Sequence, residues 1–130
     1  MSQPAAKKGD QIIATDIHIV MIPSPGGPVP TPLPHPLTGQ IDDALSEDVN
    51  IDGQPAAVVG SKASNMPSHI PQGGNFQSPP ADKGEIMMGS TSVFINGKAA
   101  ARNGDTAMTC NDPADMPVGT VVAVGTVNIG

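Results

Sequence analysis

The sequence predicts an all-β protein built from three related hairpin units around a pseudo-threefold axis. A stretch that starts at Val49 returns at Val93, and seven of its fifteen paired residues are identical. A shorter third copy begins at Pro4 and lacks the strand that precedes the motif in the other two copies. No segment has the apolar spacing of an amphipathic helix. A repeat of this kind indicates architecture before any single residue indicates chemistry.

Each full copy is predicted to form a β-hairpin with a two-residue turn. Apolar residues alternate with other residues before Asn96-Gly97 in one copy and before Asp52-Gly53 in the other. Both dipeptides favour tight hairpin turns because each of their residues tolerates a positive φ. Residues 99–101, all alanine, are expected to make the return strand. Their small side chains would let neighbouring backbones approach closely.

The end of the chain is predicted to complete the first unit. The segment from Val118 to Ile129 is rich in Val and Thr, which favours one or two strands separated by Gly125. It is expected to supply the strand that the first copy lacks, so that the two chain ends would meet. The segment from Pro23 to Pro36 holds seven prolines and, taken alone, resembles an extended linker.

Composition predicts one domain, residues 1–130, with a modest core. The chain has no Trp, no Tyr and only two Phe, whereas Gly and Pro number 15 each, so a loop-rich or partly disordered chain is the alternative. The net charge of −6 and the lack of a Lys/Arg cluster exclude a nucleic-acid groove. The acidic residues Asp42, Asp43, Glu47 and Asp48 do not have calcium-loop spacing and are expected to form a solvated loop.

The single cysteine excludes an internal disulfide bond. The N-terminus has no apolar secretion signal. The most apolar early stretch, Ile12 to Ile22, is interrupted by Asp16 and His18 and is too short to span a membrane. We therefore expect a chain that is made in the cytoplasm and leaves the cell only if another machine carries it.

Four side chains are candidate metal ligands: His18, His35, His69 and Cys110. All but His35 follow the glycine that closes the motif turn in one of the three copies, and His35 lies between two prolines. Three imidazoles and one thiolate match the tetrahedral set that zinc favours. A structural ion would also compensate for the small core. The alternative is three ordinary histidines and a buried, apolar cysteine.

An enzymatic role is the weaker hypothesis. A zinc hydrolase needs an open coordination position for water, and a metal held by four protein ligands has none. The chain has neither a metalloprotease helix motif nor a glycine-rich phosphate loop. We predict no catalytic residues and no enzyme activity.

The repeated motif resembles a known family. Pro55-Ala56-Ala57, Ala100-Ala101-Arg102 and Pro4-Ala5-Ala6 each have a glycine downstream, and two of them follow a hairpin. This combination resembles the PAAR-repeat family, which is named after Pro-Ala-Ala-Arg. The resemblance covers nearly the whole chain, although no copy carries all four letters of the motif.

The resemblance implies a small β-rich cone whose apex is stapled by one metal ion, usually zinc, with iron as the alternative. Carried over onto this sequence, the ligands are His18, His35, His69 and Cys110. It also implies a partner, the trimeric VgrG-type spike of type VI secretion or of a related contractile injection machine. One tip would bind the blunt end of one spike trimer.

The function implied is that of a structural tip that caps and sharpens the spike and helps it pierce the target membrane. The alternative is an adaptor that recruits effector cargo, with residues 23–36 and 64–80 as candidate cargo surfaces. We expect a cytoplasmic protein before firing, which is then delivered on the spike. Neither stable membrane association nor a fused effector is expected.

Overall fold

The computed structural model describes residues 2–66 and 68–130 and contains β-strands but no helix in that part of the chain. None of the described residues belongs to a helix that is long and apolar enough to cross a membrane. The predicted all-β class is confirmed. The thirteen strands are β1 Gln3–Pro4, β2 Gln11–Ile22, β3 Val29–Asp43, β4 Asn50–Ile51, β5 Gln54–Pro55, β6 Lys62–Asn65, β7 Asn75–Phe76, β8 Lys83–Ile86, β9 Phe94–Ile95, β10 Lys98–Ala99, β11 Thr106–Thr109, β12 Met116–Val122 and β13 Asn128–Ile129.

Six strands form a sheet that closes on itself. Their order is β12-β11-β8-β6-β3-β2, and β12 pairs in turn with β2. All the pairings are antiparallel, and the short β7 adds to the outer part of β2. Closure satisfies the edge hydrogen bonds that an open sheet would expose. The six strands comprise three antiparallel pairs, β2–β3, β6–β8 and β11–β12, one for each repeat unit.

Three two-stranded hairpins lie at one end of this barrel: β4–β5, β9–β10 and β1–β13. The turns at Asp52-Gly53 and Asn96-Gly97 have positive φ at both residues, as the sequence predicted. In the third hairpin, Gln3 pairs with Ile129 and the chain ends take the place of the turn. The prediction that the two ends of the chain meet is confirmed.

The three units join at a ring of alanine backbones. Ala6 N–H donates to Ala101 C=O at 2.9 Å, Ala101 N–H to Ala57 C=O at 3.0 Å, and Ala57 N–H to Ala6 C=O at 3.0 Å. All three residues are fully buried. Because each unit donates to one neighbour and accepts from the other, the ring has the threefold relation that the repeat predicted.

The predicted return strand of residues 99–101 is shorter than expected. β10 ends at Ala99, because Ala100 pairs with Val58 and Ala101 enters the alanine ring. Ala100 N–H still donates to the Val93 carbonyl oxygen of its own hairpin at 3.0 Å, whereas Ala101 N–H donates to the neighbouring unit.

The core consists of small side chains in two clusters. The hairpin cluster contains Ala5, Ile51, Ala56, Val58, Ile95 and Ala100. The barrel cluster includes the ring alanines together with Ile12, Ile41, Ile86 and Val121. Neither phenylalanine belongs to either cluster, and Phe94 is 61% exposed. The core is therefore as poor in aromatic side chains as the composition predicted.

The proline-rich segment is a strand and not a linker. Its residues from Val29 onward pair with β2, with Ile22 opposite Val29 and Thr15 opposite Pro36. The prolines occupy alternate positions: Pro30, Pro32, Pro34 and Pro36. Successive residues of an antiparallel strand direct their N–H groups to opposite sides, so prolines at every second position remove only amides that face away from β2. β6 begins its pairing with β3 at Gly39, which leaves the proline edge open and protected from further strand pairing.

Three glycines, Gly39, Gly84 and Gly119, are buried on β3, β8 and β12, the second strand of each unit. A Cβ atom at Gly119 would lie 2.7 Å from Thr109 Cγ2 and 3.1 Å from the Ala107 carbonyl oxygen. A Cβ at Gly39 would lie 3.0 Å from the Ser64 carbonyl oxygen. Glycine is therefore favoured for steric reasons at Gly39 and Gly119.

We predict that Gly119→Ala lowers the free energy of unfolding by about 1–3 kcal/mol, the usual range for overpacking a core. Urea unfolding followed by circular dichroism measures the change. Gly26→Ala is the control, because a Cβ at Gly26 meets no atom within 4 Å. Equal unfolding midpoints for the two variants would contradict the steric role of Gly119.

Candidate metal centre

The four predicted ligands reach the centre from three parts of the barrel. His18 lies on β2 and His35 on β3, whereas Cys110 directly follows β11 and His69 follows β6. Each of the four side chains is buried, with exposed fractions of 9% or less. The pairing of β2 with β3 places His35 near His18. His35 lies opposite Asp16, which is two residues before His18 and on the same face of β2.

The three predicted histidines and Cys110 lie near one another, although His35 is not part of the group whose ligand atoms all lie within 4.8 Å of one another. The ring centroid of His18 lies 5.6 Å from that of His35 and 5.0 Å from that of His69, and the His35 and His69 centroids are 5.6 Å apart. Cys110 Sγ lies 3.6 Å from His18 Nε2. The three imidazoles thus form a triangle with the sulfur beside it.

Asp16 is a fifth polar residue of this cluster, and its sequence context indicated only an interruption of an apolar stretch. Its side chain is fully buried, and its Oδ2 lies 3.0 Å from His69 Nε2 and 3.4 Å from Cys110 Sγ. Asp16, His18, His69 and Cys110 each offer one ligand atom, and these four atoms all lie within 4.8 Å of one another. The alternation Asp16-Ile17-His18 on a strand was the available signal.

Two imidazole nitrogens in the cluster have no hydrogen-bond partner among the described residues: His18 Nδ1 and His35 Nε2. His35 Nδ1 lies 2.9 Å from the Leu33 carbonyl oxygen, so it carries the proton and leaves the lone pair on Nε2. A buried nitrogen without a partner is costly unless it binds something. A metal ion at His35 Nε2 would remove that cost.

The pKa shifts of His35 and Cys110 determine which of the two must lose a proton when a metal binds. Burial lowers the pKa of His35, and the neighbouring His18 and His69 lower it further, although the Leu33 hydrogen bond opposes this. His35 is thus neutral, which is the form that binds metals. Burial raises the pKa of the Cys110 thiol to about 11. Metal binding at neutral pH must therefore release the thiol proton.

Surrounding side chains hold the ligands in place. Asp82 Oδ1 accepts a hydrogen bond from the His69 backbone N–H at 2.8 Å, and the Asn65 side chain contacts His69 Nδ1 at 3.2 Å. The Phe76 ring lies 5.8 Å from the His18 ring and 5.3 Å from the His35 ring. The donor set of nitrogen, sulfur and carboxylate oxygen fits zinc, and the supporting contacts are of the kind that orient metal ligands.

Comparison with known protein families identifies the repeat. Residues 21–114 match the family described as PAAR motif. The chain belongs to this family. The PAAR match contains His35, His69 and Cys110 and both complete hairpins, whereas His18 and the hairpin made by the chain ends lie outside it. A search of curated proteins finds no match to the chain. The predicted membership of the PAAR family is confirmed.

We predict that Cys110→Ser lowers zinc affinity by more than about 10-fold. Mutation of a residue that only supports a metal ligand already lowers metal affinity by about 10-fold or more. Thermal stability should fall in parallel, because metal binding contributes to folding. Elemental analysis and a competition titration with a chelator measure the change. The control is Thr106→Ser, which lies on β11, the strand before Cys110, and outside the cluster. Unchanged zinc content in Cys110→Ser would remove the thiol from the ligand set.

We also predict that the metal-free protein loses stability between about pH 9 and pH 11. The unfolded thiol ionises near its ordinary pKa of 9.0, whereas the folded thiol ionises near 11. The folded state then binds more protons, so the free energy of unfolding falls as pH rises, by at most about 1.4 kcal/mol per pH unit.

Urea unfolding in a chelator measures this pH dependence, with Cys110→Ala as the reference that lacks the thiol. The wild-type protein should lose stability relative to Cys110→Ala across this interval. A difference between the two proteins that stays constant with pH would show that the thiol ionises equally easily in both states.

Proposed function

We propose that this protein is the structural tip of a trimeric VgrG-type spike in type VI secretion or a related contractile injection machine. Membership of the PAAR family supports this role. The observation that carries the proposal is that one chain presents three equivalent hairpins around one axis. A trimer ends in three identical edges, and a single pseudo-threefold protein can pair with all of them.

The hairpins and the metal centre lie toward opposite ends of the domain. β2 begins at Gln11, five residues after the ring residue Ala6, and His18 lies seven residues farther along this strand, about 23 Å away at about 3.3 Å per residue. The hairpin cluster lies on the other side of the ring, since Ala5 packs there with Ile51 and Ile95. The hairpin end would bind the spike, and the metal would stiffen the end that leads.

The hairpin end also offers exposed apolar side chains. We call the following four residues the base patch: Met88, Phe94, Val124 and Val127. Phe94 lies on β9, and the other three lie in the segments that lead into β9 and β13. Their exposed fractions range from 39% for Val127 to 70% for Val124. Exposed apolar side chains of this kind are typical of a protein interface, where an aromatic residue often contributes most of the affinity.

The proposed ion is one structural zinc, held by His18, His35, His69 and Cys110, with iron as the alternative. Bound there, it would link β2, β3 and the segments that follow β6 and β11. Such a crosslink supplies stability that the small, alanine-rich core does not. The role is structural and not catalytic. The protein would be cytoplasmic before firing and would be carried out on the spike to help pierce the target membrane.

The second candidate is an adaptor that recruits effector cargo. Strands β2 and β3 extend past the part of the sheet where β3 pairs with β6, and the tip of their hairpin, residues 23–28, is largely exposed. Cargo that co-purifies with the protein and is lost when residues 23–36 are replaced would favour this role over a purely mechanical one.

We predict that the protein binds a trimeric VgrG-type spike with one tip per three spike chains. Native mass spectrometry of the complex measures this ratio. Three tips per trimer would contradict the plug arrangement, and failure to bind any candidate spike would contradict the proposed partner.

The interface variant is Phe94→Asp, which we expect to weaken spike binding about 10-fold or more, because it places a charge where an apolar side chain would be buried. Val29→Asp on the β2–β3 hairpin is the matched control, since Val29 is also exposed, at 47%, and lies away from the base patch. Equal affinities of the two variants would show that the base patch does not contact the spike.

A further inference from the structure

The three hairpins contact one another at their outer ends as well as at the alanine ring. Asp52, in the turn of the β4–β5 hairpin, accepts hydrogen bonds from Thr126 N–H at 2.9 Å and from Thr126 Oγ1 at 2.5 Å. The hydroxyl and the N–H of Thr126 lower the pKa of the Asp52 carboxyl, so the acceptor is ionised at neutral pH. Thr126 lies in the segment that leads into β13. This contact therefore joins the β4–β5 hairpin to the β1–β13 hairpin.

Asn96, in the turn of the β9–β10 hairpin, makes the corresponding contact with the β4–β5 hairpin. Its Oδ1 accepts a hydrogen bond from Ser46 Oγ at 2.5 Å, and its Nδ2 donates to Asp48 Oδ2 at 2.6 Å. Ser46 Oγ in turn accepts from the N–H groups of Asp48 and Val49, so its own proton is available for Asn96. Both partners of Asn96 lie in the segment that leads into β4.

A third contact closes the cycle. Ser90 Oγ, in the segment that leads into β9, donates to the carbonyl oxygen of Gly130, which directly follows β13. The outer end of each hairpin thus binds the segment that leads into another hairpin, and the three contacts run once around the axis. We call the contacts of Asp52 with Thr126, of Asn96 with Ser46 and Asp48, and of Gly130 with Ser90 the hairpin clasps.

The clasps hold a part of the molecule that has little other support. Each hairpin pairs over only two residues per strand, and an isolated two-stranded hairpin is marginally stable at best. Half of the residues in the hairpin cluster are alanine. The alanine ring fixes one end of each hairpin, whereas the turns lie at the other end. Without the clasps, the outer ends could move relative to one another.

We propose that Asp52 and Asn96 are positioning residues for spike binding, because their side chains hold the three hairpins as one rigid platform. A trimer presents its three edges in a fixed relation. A platform that already has this relation loses less conformational entropy when it binds. The inference rests on the proposed function, since it names the residues that prepare the surface for the spike. The metal centre lies toward the other end of the domain, so zinc content is an independent measure of the rest of the fold.

The first test is Asp52→Gly, which removes the side chain and keeps a residue that tolerates the positive φ of 49°. We expect spike affinity to fall about 10-fold, the size that two hydrogen bonds supply. Hydrogen exchange of the amides in β4, β5 and residues 126–129 should become faster, with zinc content unchanged. Asp52→Asn should restore most of both losses, because asparagine keeps an acceptor oxygen and suits the same turn.

The second test approaches the same clasp from its partner and leaves the turn intact. Thr126→Val should lower spike affinity by less, about 5-fold, because the backbone N–H of residue 126 still donates to Asp52. In the Asp52→Gly background, Thr126→Val should have no additional effect, as expected for two residues that act through one contact. Thr120→Val is the matched control, since Thr120 is exposed on β12, a strand of the barrel.

The outcomes separate this inference from the proposed function. A wild-type protein that binds no trimeric spike would overturn the proposed partner and with it the positioning role. Normal wild-type binding with unchanged affinity in Asp52→Gly would overturn the positioning role alone. Unchanged hydrogen exchange in Asp52→Gly would show that the clasp does not hold the hairpins. If Asp52→Gly does not fold, Thr126→Val decides, and an effect no larger than that of Thr120→Val would overturn the proposal.

Discussion

The ring of hydrogen bonds among Ala6, Ala57 and Ala101 is the constraint on which the rest of the structure depends. Three backbones can meet at one axis only if their side chains are no larger than a methyl group. This requirement explains why the motif keeps alanine in all three copies although its other letters vary. It also places the hairpins on one side of the ring and the barrel on the other.

A fold organised around close backbone contact cannot also have a large core. A Cβ atom at Gly39 or at Gly119 would also crowd a neighbouring strand. Half of the residues in the barrel cluster are alanine, so burial contributes less stability per residue than in an ordinary domain. Hydrogen bonds between the alanines of the ring hold the three units in position, and an ion bound at the end away from the hairpins would crosslink them. The scarcity of aromatic residues and the metal centre are thus two consequences of one architecture.

Asymmetry within the threefold frame brings the candidate metal ligands together. The β2–β3 hairpin is far longer than the β6–β8 and β11–β12 pairs, and it contributes Asp16, His18 and His35. The two shorter units contribute His69 and Cys110 from the segments that follow their first strands. A strictly symmetric protein would place three identical ligands on the axis. The mixed set of nitrogen, sulfur and oxygen donors arises because each unit departs from the repeat beyond its closing glycine.

The sequence by itself determined the features that depend on turn residues and on the repeat, because both can be read from short stretches of the chain. Asn96-Gly97 and Asp52-Gly53 specified the hairpins, and the truncated first copy specified that the chain ends meet. The sequence also singled out the four ligand-type side chains, because their residue types are scarce. Only the tertiary structure decided that the prolines of β3 lie along an open edge and that Asp16 joins the ligand cluster. The open edge depends on β6, which pairs with β3 only from Gly39 onward, and the position of Asp16 depends on the pairing of β12 with both β2 and β11. These pairings join segments that are far apart in the chain, so no short stretch of sequence encodes them.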